Sequence, residues 1–532
     1  MRIMEILFYL GLFLYLFVVG SLTGHVDYDF FARLIVGKTY FQTGEILKYD
    51  FLSYTPTHPW YDHEWGASVL FYFIHNNFGD IGLFIFKAIS LFITFFILIQ
   101  IIKLRRKALE PDKKFPIFNF LFFFVMLQPV FNLIFSLRCH HFTFMFFALW
   151  LYCLEKARLE KNYGILWVLP LLMIVWSNIH GGCFMAFGIT GLYIIGEFLR
   201  KKPVLPYIYT FIASFLLMFI NPYGVDYVTF LIKATTMHRT SIVEWQPLFG
   251  QYYLFKFIKF KLILICIIAL SLYKFIKAYA KTTGENFVKR TFEVWNNIDK
   301  TKFLLVLVMF VLCFKSVRFI TYFIFVLIPF CYDDFYSTFE KFRLKDSYNR
   351  IKELIIYAII FVTFVLNISV RKINYSNFHN IFPLTEIEFL IENKVKGNLL
   401  VPFECGSYAA YKLFPDNYIY IDGRYEEVYN PDLNDVHLKK ILLCEEGWKK
   451  ELNKYHNDIM IIYKEYPIYD ALKINQERGA SDYYLLMESR KFALFMKKDV
   501  YEKIKKPVII PTDERNFYDK TIWNTNINWM KK

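Results

Sequence analysis

Two aspartates, Asp27 and Asp29, follow the first apolar segment of the chain in the stretch SLTGHVDYDFFARL. A carboxylate at the edge of the hydrocarbon is costly in free energy, and such residues tend to mark a functional site. A carboxylate placed there can accept a proton from a reacting hydroxyl group or bind a divalent cation. Asp29 has a simpler alternative as the N-cap of a helix that begins at Phe30. That alternative does not account for both aspartates.

The elements that must hold these residues are membrane helices. The chain has 532 residues, of which 56% are hydrophobic and 21% aromatic, whereas soluble proteins average roughly 45–50% apolar residues. Apolar runs recur along the chain and reach the roughly 20 residues that a helix needs to cross a bilayer. The sequence therefore predicts a polytopic α-helical membrane protein.

The basic residues predict how this protein is oriented. The formal net charge is +15, and the Lys and Arg residues lie mainly in short loops between apolar runs. This distribution is typical of the positive-inside bias, not of a groove for nucleic acid, so no nucleic-acid partner is expected. Basic and cation-poor links alternate, which predicts about eleven spans in the plasma (inner) membrane, a cytoplasmic N-terminus and an extracytoplasmic tail. The first run is interpreted as an uncleaved signal anchor, and the later spans are predicted near 79–102, 115–135, 140–155, 163–179, 182–199, 204–220, 257–278, 302–316, 318–332 and 352–370.

The first outer loop, 23–78, is long compared with the other outer links. Phe30, Phe31, Leu34 and Ile35 recur at helical spacing, which predicts an amphipathic helix lying in the membrane interface and ending at Gly44. The stretch YDFLSYTPTHPWYDHEW follows, with a second polar group formed by Asp62, His63 and Glu64. These three are either site groups or polar residues of a hydrated loop.

The chain changes character after residue 371, so the predicted domains are a transmembrane module, 1–371, and a C-terminal domain, 372–532. The short apolar runs NLLVPF, YIYIDG, DIMIIY and YYLLME are typical of buried strands. They alternate with the helical stretches SYAAYKLF and PDLNDVHLKKILLCEEGWKKELNKY, which predicts a small α/β domain. Cys405 and Cys444 are candidates for a disulfide if this domain is extracytoplasmic.

The order of these features resembles the GT-C superfamily of membrane glycosyltransferases. The residues that carry the resemblance are DYDFFARLIVGKTYFQTGEI, YDFLSYT, HEW, the NIHGG and NPYG turns, and the α/β tail. It is closest to the bacterial branch of protein mannosyltransferase-like and lipid A sugar transferase-like enzymes. Such an enzyme moves a sugar, with inversion, from a polyprenyl-phosphate donor to a lipid, glycan or protein acceptor on the outer face. The second acidic motif departs from better-known members, because Asp62 and Glu64 compete for its role.

This resemblance implies roles for particular residues. The acceptor hydroxyl must lose a proton, and Asp27 or Asp29 is the expected base. No cofactor is required, although a Mg²⁺ or Mn²⁺ ion held by Asp27, Asp29 and Glu64, with His63 as a further ligand, is an alternative.

The departing lipid phosphate needs cations at the membrane edge, and arginine suits phosphate through its planar fork of donors. Each candidate has the alternative of a snorkelling side chain that anchors a helix at the membrane interface. The candidates are Arg138, His140, His141, His238, Arg239 and Arg318.

Other polar residues have plainer alternatives. His180, in WSNIHGG, is interpreted as a polar group of a tight turn without a catalytic role. Asp422, Arg424 and Glu426 follow a predicted strand, where Arg424 is a candidate binding group or part of a charged turn. Two other functions stay open for the chain: a transporter or flippase of lipid-linked glycans, and an inactive GT-C-derived scaffold of the cell envelope. No Walker A, GxSxG or HExxH motif is present.

Overall fold

The computed structural model describes residues 2–22, 27–109, 132–237, 239, 242–284, 286–340, 382–504 and 507–508. This part of the chain is mostly helical, with one small sheet near the C-terminal end. The helices that precede the sheet region are α1 (Arg2–Leu22), α2 (Phe30–Thr43), α3 (Trp65–Leu109), α4 (Asn132–Phe135), α5 (His140–Glu160), α6 (Val168–Ile179), α7 (Phe184–Leu199), α8 (Leu205–Leu217), α9 (Val225–Thr236), α10 (Ile258–Tyr279), α11 (Phe287–Asn297), α12 (Lys300–Lys315) and α13 (Ile320–Glu340).

Three helical segments of the described chain are long and apolar enough to cross a membrane: Trp65–Leu109, Gly181–Leu199 and Ile258–Tyr279. In α10 the most apolar stretch is only 11% buried inside the protein. Its exposed side chains include Leu262 and Ile265, and an apolar surface of this extent is typical of a helix that contacts lipid. The chain is therefore compatible with membrane association.

Most predicted spans coincide with helices, but the count of eleven is not confirmed. The runs predicted between 140 and 332 each correspond to one helix from α5 to α13, with α9 and α11 as two helices that were not predicted. The run at 79–102 lies inside α3, which begins earlier and bends at Gly79, where φ is 60°. The runs at 115–135 and 352–370 lie largely or wholly outside the described residues.

The C-terminal region contains a mixed five-stranded sheet with the order β2-β1-β3-β5-β4. β1 pairs in parallel with β2 and β3, whereas β5 runs antiparallel to β3 and β4. Four strands are those that the sequence predicted, and β5 is additional. The strands are β1 (Gly397–Leu400), β2 (Asn417–Ile419), β3 (Ile459–Tyr463), β4 (Tyr483–Glu488) and β5 (Phe492–Lys497).

Short helices surround this sheet, and SYAAYKLF forms one of them as predicted. The long helical stretch predicted from 431 is instead broken into pieces, because Gly447 adopts a φ of +79° just before the last of them. The pieces are the π-helix Leu433–Leu438 and two α-helices. The α-helices of the region are α14 (Leu384–Glu392), α15 (Gly406–Leu413), α16 (Tyr425–Val428), α17 (Lys439–Leu442), α18 (Trp448–Leu452), α19 (Pro467–Glu477) and α20 (Lys498–Tyr501).

Two further expectations for this region concern a disulfide and a domain boundary. The disulfide between Cys405 and Cys444 does not form, and the Sγ of Cys405 lies 3.8 Å from the hydroxyl oxygen of Tyr463. The domain boundary expected between 371 and 372 lies outside the described residues.

The first loop joins the two regions. Ser53 and Ile419 form a parallel bridge, so this loop extends the sheet beyond β2. The sequence predicts that α2 lies in the membrane interface, but α2 packs between α3 and α15. Phe30 and residues 32–37 are buried in this packing, and the side chain of Phe31 contacts the rings of Tyr408 and Tyr411 in the C-terminal region.

A cluster of ion pairs fixes the other end of the helical bundle. Arg158 donates to Glu155 at 2.6 Å and to Asp299 at 2.8 Å, and Arg105 pairs with the same Glu155. Glu155 follows His140 by fifteen residues in α5, which is about 22 Å along a helix. The polar groups around Asp27 and Asp29 therefore belong to the opposite end.

Candidate functional site

The two aspartates lie at the start of α2 and have different surroundings. Asp27 is buried, and its Oδ1 accepts a hydrogen bond from the backbone N–H of Asp29 at 3.0 Å. Its other carboxylate oxygen forms an ion pair with Arg138. Asp29 holds the N-cap position of α2, but its side chain accepts no capping hydrogen bond. The carboxylate of Asp29 is half-buried and is therefore available to another partner.

Burial and mutual repulsion change the acidity of this pair. Burial raises the pKa of Asp27, Arg138 opposes the shift, and Glu244 reinforces it. Burial also raises the pKa of Asp29 well above its ordinary value, and the negative charge of Asp27 adds to that effect. A base works best when its pKa is near the operating pH. Asp29 is the better suited of the two, since Asp27 is committed to Arg138.

Arg138 is held by carboxylates on two sides. It lies in the turn before α5 and pairs with both Asp27 and Glu244. Glu244 comes from the long connection between α9 and α10, where its backbone oxygen accepts a hydrogen bond from the Ser316 hydroxyl at 2.9 Å. This arrangement makes Arg138 the residue that positions Asp27.

Arg239 and Arg318 both lie over the ring of Trp245, at 4.4 Å and 4.9 Å from its centroid. Arg239 also forms an ion pair with Glu426. Arg318 contacts Nε2 of His140 and forms no ion pair with a carboxylate in the part of the chain that the structure describes. Arg138 and Arg239 pair with carboxylates. Of the three arginines expected to bind phosphate, Arg318 is therefore the one whose positive charge is least neutralised. His238 lies outside the described residues.

The three histidines of the later spans separate into two groups. The rings of His140 and His180 lie 4.6 Å apart, so both belong to the site. His141 faces elsewhere, with its ring nitrogens 2.8 Å from the Ser90 hydroxyl and 3.1 Å from the Ser136 carbonyl. His141 is not part of the cluster.

His180 closes the NIHGG turn and also reaches the first loop. Its Nδ1 accepts a hydrogen bond from the Gly182 backbone N–H at 2.9 Å and also lies 2.8 Å from the Thr143 hydroxyl oxygen. Because Nδ1 is an acceptor, the neutral ring carries its proton on Nε2. That nitrogen lies 3.3 Å from Oε1 of Glu64, so His180 acts both as the polar group of a turn and as a partner of the site.

Arg33 is the centre of the second polar group. Its guanidinium lies 2.6 Å from Asp62, 3.4 Å from Glu64 and 3.4 Å from Glu427. Arg33 is only 3% exposed, so its charge is neutralised within the protein. Trp60 donates its indole N–H to Glu427 at 3.0 Å, which ties the C-terminal region to the same loop.

The two glutamates beside Arg33 differ in acidity. Burial opposes ionisation of Glu64, but Arg33, His63 and His180 lower its pKa to about 2. Burial raises the pKa of Glu427 to about 7 against the opposing effects of Arg33 and His63, and the neighbouring carboxylates add to the rise. Glu64 is therefore ionised at neutral pH, whereas Glu427 is only partly ionised there.

The alternative of a metal ion between Asp27, Asp29 and Glu64 has limited support from the donor set. Asp27 is neutralised by Arg138, which leaves it a poor cation ligand. The described residues bring together a different group, in which one ligand atom each from His63, Glu64 and Glu427 lies within 4.8 Å of the others.

Arg424 serves the structure. It is fully buried, lies 2.9 Å from Asp422 and also pairs with Asp50 of the first loop. Its guanidinium stacks over the ring of Trp60 at 4.8 Å. Arg424 and the two aspartates neutralise one another inside the protein. The stacked guanidinium holds Trp60 in the position from which it donates to Glu427.

A cleft of about 320 Å³ opens beside the site, and its lining includes Tyr61, Phe230, Lys233 and Glu426. The ring of Phe230 also lies 5.6 Å from the ring of His63. The cleft thus adjoins the cluster around Arg33 and offers both apolar and charged contacts.

No protein-family model matches this chain, and no curated protein has a matching sequence. Sequence reasoning missed Glu244 and Glu427, which come from distant parts of the chain. Each lies beside another distinctive residue, Trp245 in the first case and Glu426 in the second, but such pairs recur in the chain, as at Glu445–Glu446, and do not single out a site.

Proposed function

We propose that this protein is an integral membrane glycosyltransferase that moves a sugar from a polyprenyl-phosphate donor to a lipid, glycan or protein acceptor. The proposal includes the eleven spans, the GT-C architecture, the cytoplasmic N-terminus and a site on the outer face. The observation that carries it is the meeting of the Asp27–Asp29 pair with Arg138, which comes from a distant segment, at one end of the bundle. A charged donor at a membrane edge needs both a base and cations there.

Asp29 is the proposed base. It takes the proton of the acceptor hydroxyl as that oxygen attacks the anomeric carbon of the sugar. The bond between this carbon and the phosphate oxygen breaks, and the polyprenyl phosphate leaves with the bonding electrons. Attack from the face opposite the phosphate gives inversion.

Arg318 and His140 are the proposed phosphate-binding groups. Arg318 has a planar fork of donors and no ion pair with a carboxylate in the described chain, while Trp245 supports its guanidinium from one side. Arg138 and Arg239 pair with carboxylates, so they position the site and contribute to its field. The exposed apolar faces of helices such as α10 suit contact with membrane lipids and with the isoprenoid tail.

The two alternative functions fit the geometry less well. Secondary transporters typically bind their substrate near the membrane midplane between moving repeats, whereas these polar groups lie at the end of the bundle in a network of buried ion pairs. An inactive scaffold does not require a half-buried aspartate with a raised pKa, which burial and the charge of Asp27 produce here.

The test compares the envelope glycolipids and glycoproteins of cells that lack the protein by mass spectrometry. Complementation uses the wild type, Asp27→Asn or Asp29→Asn, each checked for membrane level. We expect a one-sugar mass difference in the deletion strain that the wild type restores and Asp29→Asn does not. Full restoration by both variants would rule out catalysis by the pair and favour transport or scaffolding.

A further inference from the structure

A second group of side chains at the same end has the donor set of a metal site. His63 and Glu64 are neighbours in the first loop, and Glu427 lies in α16 of the C-terminal region. Nδ1 of His63 is 3.2 Å from Oε1 of Glu427. Ligands that surround a tetrahedral ion at 2.0–2.2 Å lie about 3.3–3.6 Å from each other. This one distance is close to that spacing, and one ligand atom each from His63, Glu64 and Glu427 lies within 4.8 Å of the others, so the three side chains would move closer together to coordinate an ion.

Arg33 and Trp60 orient the carboxylates of Glu64 and Glu427. Arg33 lies 3.4 Å from Oε2 of Glu64 and 3.4 Å from Oε2 of Glu427, and Trp60 donates to that same Oε2 of Glu427. The Oε1 atom of each glutamate faces the ring of His63: that of Glu427 lies 3.2 Å from Nδ1 and that of Glu64 lies 3.9 Å from Nε2. Donors that hold one oxygen of a carboxylate and leave the other for a metal are typical of the surroundings of metal sites, and Glu427 has this arrangement.

The nearby His180 does not complete the ligand set. Its Nδ1 accepts a hydrogen bond from the Gly182 backbone N–H and also lies against the Thr143 hydroxyl, so its Nε2 carries the proton and faces Oε1 of Glu64. A metal ligand must present an unprotonated nitrogen. His180 therefore orients Glu64, and the protein supplies three ligands.

The carboxylates of the cluster outnumber its arginine, which favours the binding of a cation. Asp62, Glu64 and Glu427 surround the single guanidinium of Arg33, and a buried excess of negative charge is costly. Nδ1 of His63 is buried and makes no hydrogen bond of regular geometry within the described residues, although Oε1 of Glu427 lies 3.2 Å away. A lone imidazole nitrogen beside two carboxylates favours a transition ion such as Zn²⁺ over Mg²⁺, which prefers oxygen ligands alone.

We infer that His63, Glu64 and Glu427 bind one divalent transition-metal ion, with Zn²⁺ as the best match, and that this ion links the first loop to the C-terminal region. Three protein ligands leave one position open for water or for an anionic oxygen. The inference does not depend on sugar transfer, because its test measures metal binding.

The experiment uses the full-length protein without an affinity tag of histidines, purified in detergent and stripped with a chelator. Zn²⁺ alone is added, unbound metal is removed, and the bound metal is measured by elemental mass spectrometry together with the unfolding temperature. We expect one Zn²⁺ per chain and a higher unfolding temperature, and at least about tenfold weaker binding in His63→Gln and Glu427→Gln. Mg²⁺ in excess is expected not to displace the Zn²⁺.

The matched control is His58→Gln, because His58 lies in the same loop and its Nε2 lies 3.0 Å from the Tyr429 carbonyl oxygen without joining the cluster. This control is expected to bind Zn²⁺ like the wild type. His63→Gln leaves Glu64 and Glu427 paired with Arg33, so its metal-free unfolding temperature should stay close to that of the wild type even if Glu427→Gln folds poorly. Absence of bound Zn²⁺ in the wild type, equal binding in His63→Gln, or displacement by Mg²⁺ would each overturn the inference.

Discussion

The carboxylate of Asp29 lies directly against the backbone of Gly423, in the space that a side chain at position 423 would fill. The proposed base therefore depends on a residue of the C-terminal region for its position. The C-terminal region belongs to the site and is not simply appended to it.

Replacement of Gly423 by alanine should reduce activity by displacing Asp29. The new Cβ would overlap the carboxylate, and a shift of about 1 Å at a reacting group can lower a rate about 100-fold. The measurement is the amount of sugar-bearing product in complemented cells at equal protein level. Gly188→Ala is the control, since nothing lies within 4 Å of a Cβ there, and normal product with Gly423→Ala would contradict this role of the contact.

Asp29→Asn should abolish transfer with little change in the fold. Loss of a general base lowers a rate by about 100- to 10,000-fold, and the amide keeps the shape of the side chain. The same product assay measures the effect. Glu45→Gln, which changes an exposed carboxylate of the same loop, should behave as the wild type.

The same variant should change how stability depends on pH. Burial and then the charge of Asp27 raise the pKa of Asp29 above its ordinary 3.8, so the folded state holds this proton more tightly than the unfolded state. Its contribution to stability is present below pH 3.8 and is lost as pH rises through the raised pKa. The unfolding temperature of Asp29→Asn relative to the wild type should therefore increase with pH. A constant difference from pH 4 to pH 8 would contradict the shift.

Arg138 and Asp27 should be coupled in stability. Arg138→Gln leaves the buried Asp27 without its partner, while the double variant with Asp27→Asn removes both charges. Unfolding in detergent should show each single variant to be destabilised and a coupling of about 0.5–3 kcal/mol in the double-mutant cycle. Simple additivity would mean that the ion pair contributes nothing.

Arg318→Gln should weaken the binding of a polyprenyl phosphate. A charge-assisted hydrogen bond contributes about 1.5–3 kcal/mol, so the loss should be roughly 10- to 100-fold. Native mass spectrometry of the purified protein with the lipid measures it. Lys315→Gln removes an exposed cation three residues away, and it should leave the affinity unchanged. Equal losses in both variants would indicate general charge attraction instead of a specific contact.

Local patterns in the sequence predicted the features that arise from neighbouring residues. The apolar runs gave the helices from α5 to α8, and β1 to β4 appeared as short apolar runs bounded by turns. Strand β5 was missed because only a short turn separates FALFMK from the run before it. Asp27, Asp29, His63 and Glu64 were identified because their types are unusual beside membrane spans.

Contacts between distant segments were beyond the reach of these patterns. Nothing near Glu427 indicates that it will meet Arg33, and the covering of α2 by α15 follows from tertiary packing. For the same reason Arg424 suggested a binding group, whereas its charge is met by Asp50 and Asp422.

The pairing of Arg33 with Glu427 has a consequence for biosynthesis. The ribosome makes Arg33 and must then add 394 residues before Glu427 exists. At about 5–20 residues per second this interval lasts roughly 20–80 s. During that time the nascent chain presents an incompletely paired arginine and an uncovered apolar helix. A truncated product that ends before α15 would lack both this ion pair and the cover that α15 gives to α2.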